Sequence, residues 1–297
     1  MKTNISSGNI STGIITLTNG AVIKDTAGDA VAFGQQAGLT SQGNSAVAIG
    51  SFAGYNTQSN DAVAVGVAAG YTSQGNAAVA IGKDAGTTTQ GQWAVAIGTE
   101  AGQTTQGAGS VAIGLIAGSN SQGSTAVAVG PGAGYTTQGN NAVAIGYNAG
   151  QTAQSASAVA IGDGAGQTNQ GQYSVAIGYQ TARNSQGNNA IAIGDQAGYN
   201  SQGLRAVAIG FNAARASQGS NSIAIGSSAG DVNQSSNSVA IGKNAGEVLQ
   251  KNDCVAIGTS AGQNSQGEFS VAIGSNAGNN TQGSYCIAIG SDAGLIG

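Results

Sequence analysis

The pattern of apolar and polar positions repeats every sixteen residues from Ala30 onwards. Counting Ala30 as position 1, positions 2 and 4 hold Val or Ile in every unit except at Phe33, position 3 is always Ala and position 5 is always Gly. Position 13 is Gln in all sixteen complete units, from Gln42 to Gln282. The unit begins seventeen times without an insertion or deletion, which is typical of a repeat architecture.

Each unit predicts two short strands. Within AVAIG the side chains alternate, so Val and Ile share one face and the Ala residues share the other. These β-branched and small residues favour a strand, and two large apolar residues in sixteen leave no helical stripe. A Thr-rich run such as residues 87–90 favours a second strand. We therefore predict an all-β fold, a parallel β-solenoid of about 17 coils and roughly 80 Å in length, with one unit per coil.

The alternation separates two faces, and we expect the larger side chains to lie inside, because a one-residue shift would bury only Ala. The predicted core residues are Val47, Ile49, Val79, Ile81, Val143, Ile145, Val175 and Ile177. Two such side chains contribute only about 1.5–3 kcal/mol each, whereas ordering a backbone residue costs about 1–2 kcal/mol. We therefore expect a homo-oligomer that packs through the flat small face. The predicted chain–chain interface residues are Ala142, Ala144, Ala158 and Ala160.

The recurring Gln predicts a column of stacked amides. Equivalent residues of successive coils lie about 4.8 Å apart, so their side-chain amides can hydrogen-bond along the ladder. We expect Gln106, Gln122 and Gln138 to lie in one line, within hydrogen-bonding reach of a neighbouring coil or its backbone.

Residues 1–29 do not repeat, and we assign them as an N-terminal cap or attachment segment preceding a solenoid domain of residues 30–297. Segment 13–25 predicts a strand, a turn at Asn19-Gly20 and a second strand. A solenoid needs its first coil covered, because an exposed edge strand is a template for aggregation.

Composition excludes several functions. The chain has no His, which removes Ser-His-Asp triads and the usual zinc sites, so we predict no enzyme, cofactor or metal. The eight Lys and Arg residues are scattered, which argues against nucleic acid. No apolar run is long enough for membrane insertion, and no general secretory signal is visible.

Cys254 and Cys286 both occupy position 1, two coils apart and too far for a disulfide within one chain. They stand in for Ala or Ser, the alternative being a bridge between symmetry-related chains.

The SVAIG units followed by Ala-Gly, as in residues 110–118 and 270–278, closely resemble the head repeats of trimeric autotransporter adhesins. The resemblance covers residues 30–297, and similar arrays occur in fibre proteins of phages and large viruses. It implies a left-handed parallel β-roll, three chains side by side, and a head that binds host matrix or other surfaces.

We therefore expect a structural fibre, spike or filament component, extracellular and displayed on a virion or cell surface. The alternative is an adhesin head that binds a host protein or glycan ligand, and a remote alternative is an ice-binding protein with a Thr array. A trimer is the first choice on the resemblance, and end-to-end stacking into a filament remains open.

Overall fold

The computed structural model of the chain describes residues 15–17, 21–26 and 29–294, which are all-β without a helix. From Ala30 onwards they form one parallel β-solenoid. The strands, in chain order, are β1 Ile15–Leu17, β2 Ala21–Thr26, β3 Ala30–Gln35, β4 Val47–Ile49, β5 Val63–Val65, β6 Ser73–Gln74, β7 Val79–Ile81, β8 Thr89–Gln90, β9 Val95–Ile97, β10 Thr105–Gln106, β11 Val111–Ile113, β12 Val127–Val129, β13 Val143–Ile145, β14 Thr152–Gln154, β15 Val159–Ile161, β16 Thr168–Gln170, β17 Val175–Ile177, β18 Ile191–Ile193, β19 Val207–Ile209, β20 Ile223–Ile225, β21 Val239–Ile241, β22 Val255–Ile257, β23 Val271–Ile273 and β24 Ile287–Ile289.

Two parallel ladders run along the rod. In the first ladder, each unit contributes the strand at positions 2–4, and every residue pairs with the residue sixteen places later, as Ala144 pairs with Ala160. With β1 and β2 these strands make a 19-stranded sheet. The second ladder follows positions 11–13, where β14 pairs with β16 and single bridges between Gln residues link other coils. The predicted parallel solenoid with one sixteen-residue unit per coil is therefore confirmed.

The N-terminal strands pair differently from the rest. β1 and β2 are antiparallel to each other, and the predicted turn at Asn19-Gly20 lies outside the described residues. β2 is also antiparallel to β3, with Ala21 opposite Gln35. The first strand of the repeat therefore has neighbours on both sides, β2 on one and β4 on the other.

The two faces of the first ladder are exchanged relative to our prediction, which was wrong. Ala144 is 0% exposed and lies inside the coil, whereas Ile145 is 38% exposed on the outer face. The residues predicted as core but found on the outer face are Val47, Ile49, Val79, Ile81, Val143, Ile145, Val175 and Ile177. The residues predicted as a chain–chain interface but found fully buried within their own chain are Ala142, Ala144, Ala158 and Ala160.

The narrow interior of the coil explains this exchange. Gln154, in the second ladder, reaches across the interior and its Nε2 donates to the carbonyl of Val143 in the first ladder at 2.8 Å. Because a single Gln side chain spans the interior, the space that remains holds only small side chains. The Ala residues of positions 1, 3 and 8 fill it. Val and Ile do not fit there, because overpacking a filled interior is destabilising. The coil is therefore closed by small side chains and Gln.

Two Gly positions make this close packing feasible. At position 5, Gly146 has a φ of 128°, and an added Cβ would lie 2.6 Å from the carbonyl oxygen of Gly162 in the next coil. At position 9, Gly150 has a φ of 51°, and an added Cβ would lie 2.8 Å from the side-chain amide of Gln154. The first Gly lets successive turns stack, and the second makes space for the buried Gln.

Candidate interaction surfaces

The outward side chains of positions 2 and 4 form an apolar strip, which we call the Val/Ile face. Its Val side chains are mostly half-buried, and its Ile side chains remain about one third exposed, as at Ile49 with 39% and Ile177 with 36%. Since every unit adds one such pair, two columns of apolar side chains follow the whole ladder. Monomeric soluble proteins rarely expose contiguous apolar patches of more than a few hundred Å². The Val/Ile face is therefore suited to contact with another surface.

The Val/Ile face carries no charge. Positions 1–5 contain no Asp, Glu, Lys or Arg in any unit. Covering the face would bury no unpaired charge, which is the usual penalty against burying a surface. A second apolar face, including another copy of this one, can therefore pack against it.

The Gln residues of position 13 lie inside the coil in a single column. Gln106, Gln122 and Gln138 are joined by parallel bridges, as their sixteen-residue spacing predicts, and each is only 1–2% exposed. Gln122 Nε2 donates to Gln138 Oε1 at 3.0 Å and to the carbonyl of Val111 at 2.8 Å. Gln106 Nε2 donates to the carbonyl of Val95 at 2.8 Å. The column is part of the core and offers no surface to a partner.

The amide ladder is continuous only in part of the solenoid. From Gln122 to Gln250 each Nε2 donates to the Oε1 of the next Gln at 2.9–3.2 Å, and the series ends at the Oε1 of Gln266. Towards the N-terminus, residues such as Gln74 and Gln90 bond only to backbone carbonyls, and their Oε1 atoms have no hydrogen-bond partner. The amides of the N-terminal part thus bond only to the backbone, whereas those from Gln122 to Gln266 also bond to one another.

Position 10 forms a column of variable residues that pair with their counterparts sixteen residues away. The rings of Tyr55 and Tyr71 stack with centroids 4.9 Å apart and 5° between their planes. Arg183 donates from Nε to Gln167 Oε1 and from Nη1 to the Tyr199 hydroxyl, both at 2.7 Å. Coils that share a backbone therefore differ in surface chemistry at this position.

Position 16 holds several strongly exposed aromatic residues. Trp93 is 63% exposed and Tyr173 is 58% exposed, and the rings of Phe269 and Tyr285 stack with centroids 5.2 Å apart. All four adopt positive φ values between 57° and 60°. The left-handed backbone at this turn directs them away from the core, where they contribute to the surface of individual coils.

The cysteines differ in their surroundings. Cys254 is buried, its Sγ donates to the carbonyl of Gly267 at 2.8 Å, and its burial raises the pKa of the thiol above the ordinary value. Ser270, one coil further, makes the same contact from Oγ to the carbonyl of Gly283 at 2.7 Å. Cys286 is exposed. Cys254 therefore fills the place of a buried Ser.

Neither metal chemistry nor a membrane span is evident in the described part of the chain. Within residues 15–17, 21–26 and 29–294, no cluster of three or more His, Cys, Asp or Glu residues could hold a metal ion. The same residues include no helix that is long and apolar enough to cross a membrane.

One family model matches the chain, that of the YadA head domain repeat. The matched residues are 121–149, 170–197, 185–213 and 201–229, all within the solenoid. No curated protein matches the chain. The resemblance that the SVAIG and Ala-Gly units indicate is therefore confirmed, and over these residues the chain is similar to an adhesin head repeat.

Proposed function

We propose that the chain is a rod-shaped, non-enzymatic head or shaft of a fibre displayed on a cell or virion surface, in which copies of the chain associate side by side. The Val/Ile face is the observation that carries this proposal. Its two uncharged apolar columns are not needed to close a single coil, yet they recur in every unit. The similarity to the YadA head repeat supports the same conclusion, because heads of this type are trimeric adhesins exposed at a surface.

Lateral association explains the Val/Ile face better than end-to-end stacking. The apolar columns run parallel to the rod, so contact between the ends of two rods would leave them exposed. A trimer in register brings the Val and Ile of three chains to one axis at each coil level and repeats the same contact along the rod. The family resemblance supports three chains and a left-handed coil.

The N-terminal strands fit a capping role. β2 runs antiparallel along the outer edge of β3, so that this edge does not present free backbone groups to another strand. We therefore assign residues 1–29 as a cap or attachment segment and residues 30–297 as the solenoid domain.

Sedimentation velocity and electron microscopy of the purified chain test the proposed association. We expect a rod with a mass three times the 28.4 kDa of one chain. A stable 28.4 kDa species at micromolar concentration would contradict the side-by-side assembly. Rods that grow in length with concentration while keeping the width of one chain would favour end-to-end stacking instead.

A further inference from the structure

One unit departs from the others on the flank of the rod formed by positions 12–15. Unit 142–157 has Ala153 at position 12, where no other unit has Ala. It also has Ala156 at position 15, between Asn140 and Gln172 in the neighbouring units. These two small residues line an open depression of about 540 Å³, which we call the Ala156 depression.

The Ala156 depression contains several neutral polar groups that are available to a ligand. Its lining includes the hydroxyls of Thr137 and Ser155 and the side-chain amides of Gln172 and Asn188. Asn188 Oδ1 accepts the backbone N–H of Gln172 at 2.9 Å, which orients the Asn188 amide and leaves its Nδ2 group to donate. Gln172 is exposed. The depression therefore presents both donors and acceptors beside the methyl groups of the two Ala residues.

From these features we propose that the Ala156 depression binds a saccharide unit of a neutral glycan. Sugar hydroxyls both donate and accept hydrogen bonds, which amide and hydroxyl side chains satisfy, and the C–H groups of a sugar ring can pack on the Ala methyls. A volume of about 540 Å³ is typical of small-molecule sites. The lining spans four successive units, about 14 Å at the strand spacing.

The lining also selects against other ligand classes. It contains no Asp, Glu, Lys or Arg, so a charged ligand would find no counter-charge there. An apolar ligand would make no hydrogen bond with the exposed amides of Gln172 and Asn188 and would contact only the Ala methyl groups. A neutral ligand rich in hydroxyl groups can use both the amides and the methyl groups.

The Ala156 depression is separate from the Val/Ile face, so this inference goes beyond the proposed scaffold function. Gln154 lines the depression from the second ladder, and its side chain crosses the core to the carbonyl of Val143 in the first ladder. The lining includes none of the residues of the Val/Ile face, so changes in the depression and changes on that face can be tested separately.

Saturation-transfer NMR on the full chain tests the proposal. The probes are the methyl glycosides of glucose, galactose, mannose and N-acetylglucosamine, with glucuronate as a charged comparison. Ala156→Asn fills the depression, and Ala108→Asn makes the same change at position 15 of another unit. Gln172→Ala removes one amide, and Gln92→Ala is its matched control.

We expect saturation transfer to at least one neutral glycoside. Ala156→Asn and Gln172→Ala should each raise its Kd by about tenfold or more, equivalent to about 1.4 kcal/mol, while both control variants bind as the unaltered chain does. Absence of transfer to every neutral glycoside overturns the proposal, as does preference for glucuronate or an equal loss in the control variants. Sedimentation of the same samples separates this result from the assembly: trimers that bind no glycoside contradict only the saccharide site.

Discussion

Two neighbouring residues of one strand, Ala144 and Ile145, have opposite surroundings. Ala144 is 0% exposed inside a coil that Ala, Gly and Gln fill, whereas Ile145 is 38% exposed on the uncharged Val/Ile face. A single coil therefore closes without its two largest apolar side chains. The comparison teaches that the inner face sets the stability of each chain, while the outer face is available for contact between chains.

The largest expected loss of stability comes from disrupting the inner face. Ala144→Asp places a carboxylate in a space that holds one methyl group, beside the buried Gln column. We expect a loss of at least about 3 kcal/mol, because the charge is buried without a partner and the coil is overpacked. Urea denaturation followed by circular dichroism measures it. If Ala144→Asp proves less damaging to the fold than Ile145→Asp, the assignment of the two faces is wrong.

The next effect separates association from folding. Ile145→Asp puts a charge on the Val/Ile face, and in a trimer three such carboxylates would meet at one level of the rod. We expect association to weaken by about tenfold or more, with the strand content of the chain retained. Sedimentation velocity over a dilution series measures this. Asn140→Asp, an exposed change of similar charge, is the matched control and should leave the assembly intact.

A third comparison concerns the two parts of the Gln column. In Gln170 the Oε1 accepts from Gln154 and the Nε2 donates to Gln186, whereas the Oε1 of Gln74 has no partner. Each Gln→Leu change should cost about 1–3 kcal/mol, since buried carbonyl groups lose their donor. The cost should be larger for Gln170→Leu, and the shift in denaturation midpoint measures the difference. An equal or larger loss for Gln74→Leu would show that the inter-amide bonds add nothing.

A smaller effect, of opposite sign at adjacent residues, tests position 9. Ala214 has a φ of 50° at position 9, where nearly all other units have Gly. The Gln column continues past it, since Gln202 Nε2 donates to Gln218 Oε1 at 3.1 Å. Ala214→Gly should stabilise the chain by up to about 1 kcal/mol by relieving the left-handed strain. Ala213→Gly, a change of the buried Ala beside it, should destabilise by about 1 kcal/mol. Thermal unfolding distinguishes the two, and a shift in the same direction for both contradicts the prediction.

The smallest perturbation is chemical and leaves the fold unchanged. Because burial raises the pKa of the Cys254 thiol, less of it is thiolate near neutral pH than at an exposed position. Iodoacetamide should therefore alkylate Cys286 well before Cys254 under native conditions, as peptide mass spectrometry can show. Comparable rates for the two residues would mean that position 1 is not enclosed.

The fold could be predicted from the sequence more completely than its faces. Identical residues at a constant spacing of sixteen must stack, so the parallel ladder and the line of Gln106, Gln122 and Gln138 follow from the repeat alone. Alternation in AVAIG defines two faces but not which of them is inside. That depends on the width of the coil, set by the reach of the Gln side chain and by the turns, where even Ile116 adopts a φ of 52°. The invariant Ala of position 3 and Gly of position 5, with the Gly that recurs at position 9 in nearly every unit, were the available signal for a narrow interior.

The Ala156 depression likewise could not be predicted from the sequence alone. The sequence reveals that Ala153 and Ala156 are smaller than most residues at their positions, but not that they border one cavity. Their adjacency depends on the path of the chain through positions 12–15, where turns with positive φ occur at several units. Lining residues from four different units come together only once the coils are stacked.

The uniformity of the Val/Ile face also has a consequence for alignment. Two rods that slide past each other by one coil, about 4.8 Å, find almost the same Val and Ile contacts again, and only the terminal coils lose a partner. The Val/Ile face can therefore hold chains together, but its contacts do not define the register between them. The non-repeating β1–β2 segment against β3 is a unique landmark at one end. We therefore expect the N-terminal segment to fix the register in which the chains associate.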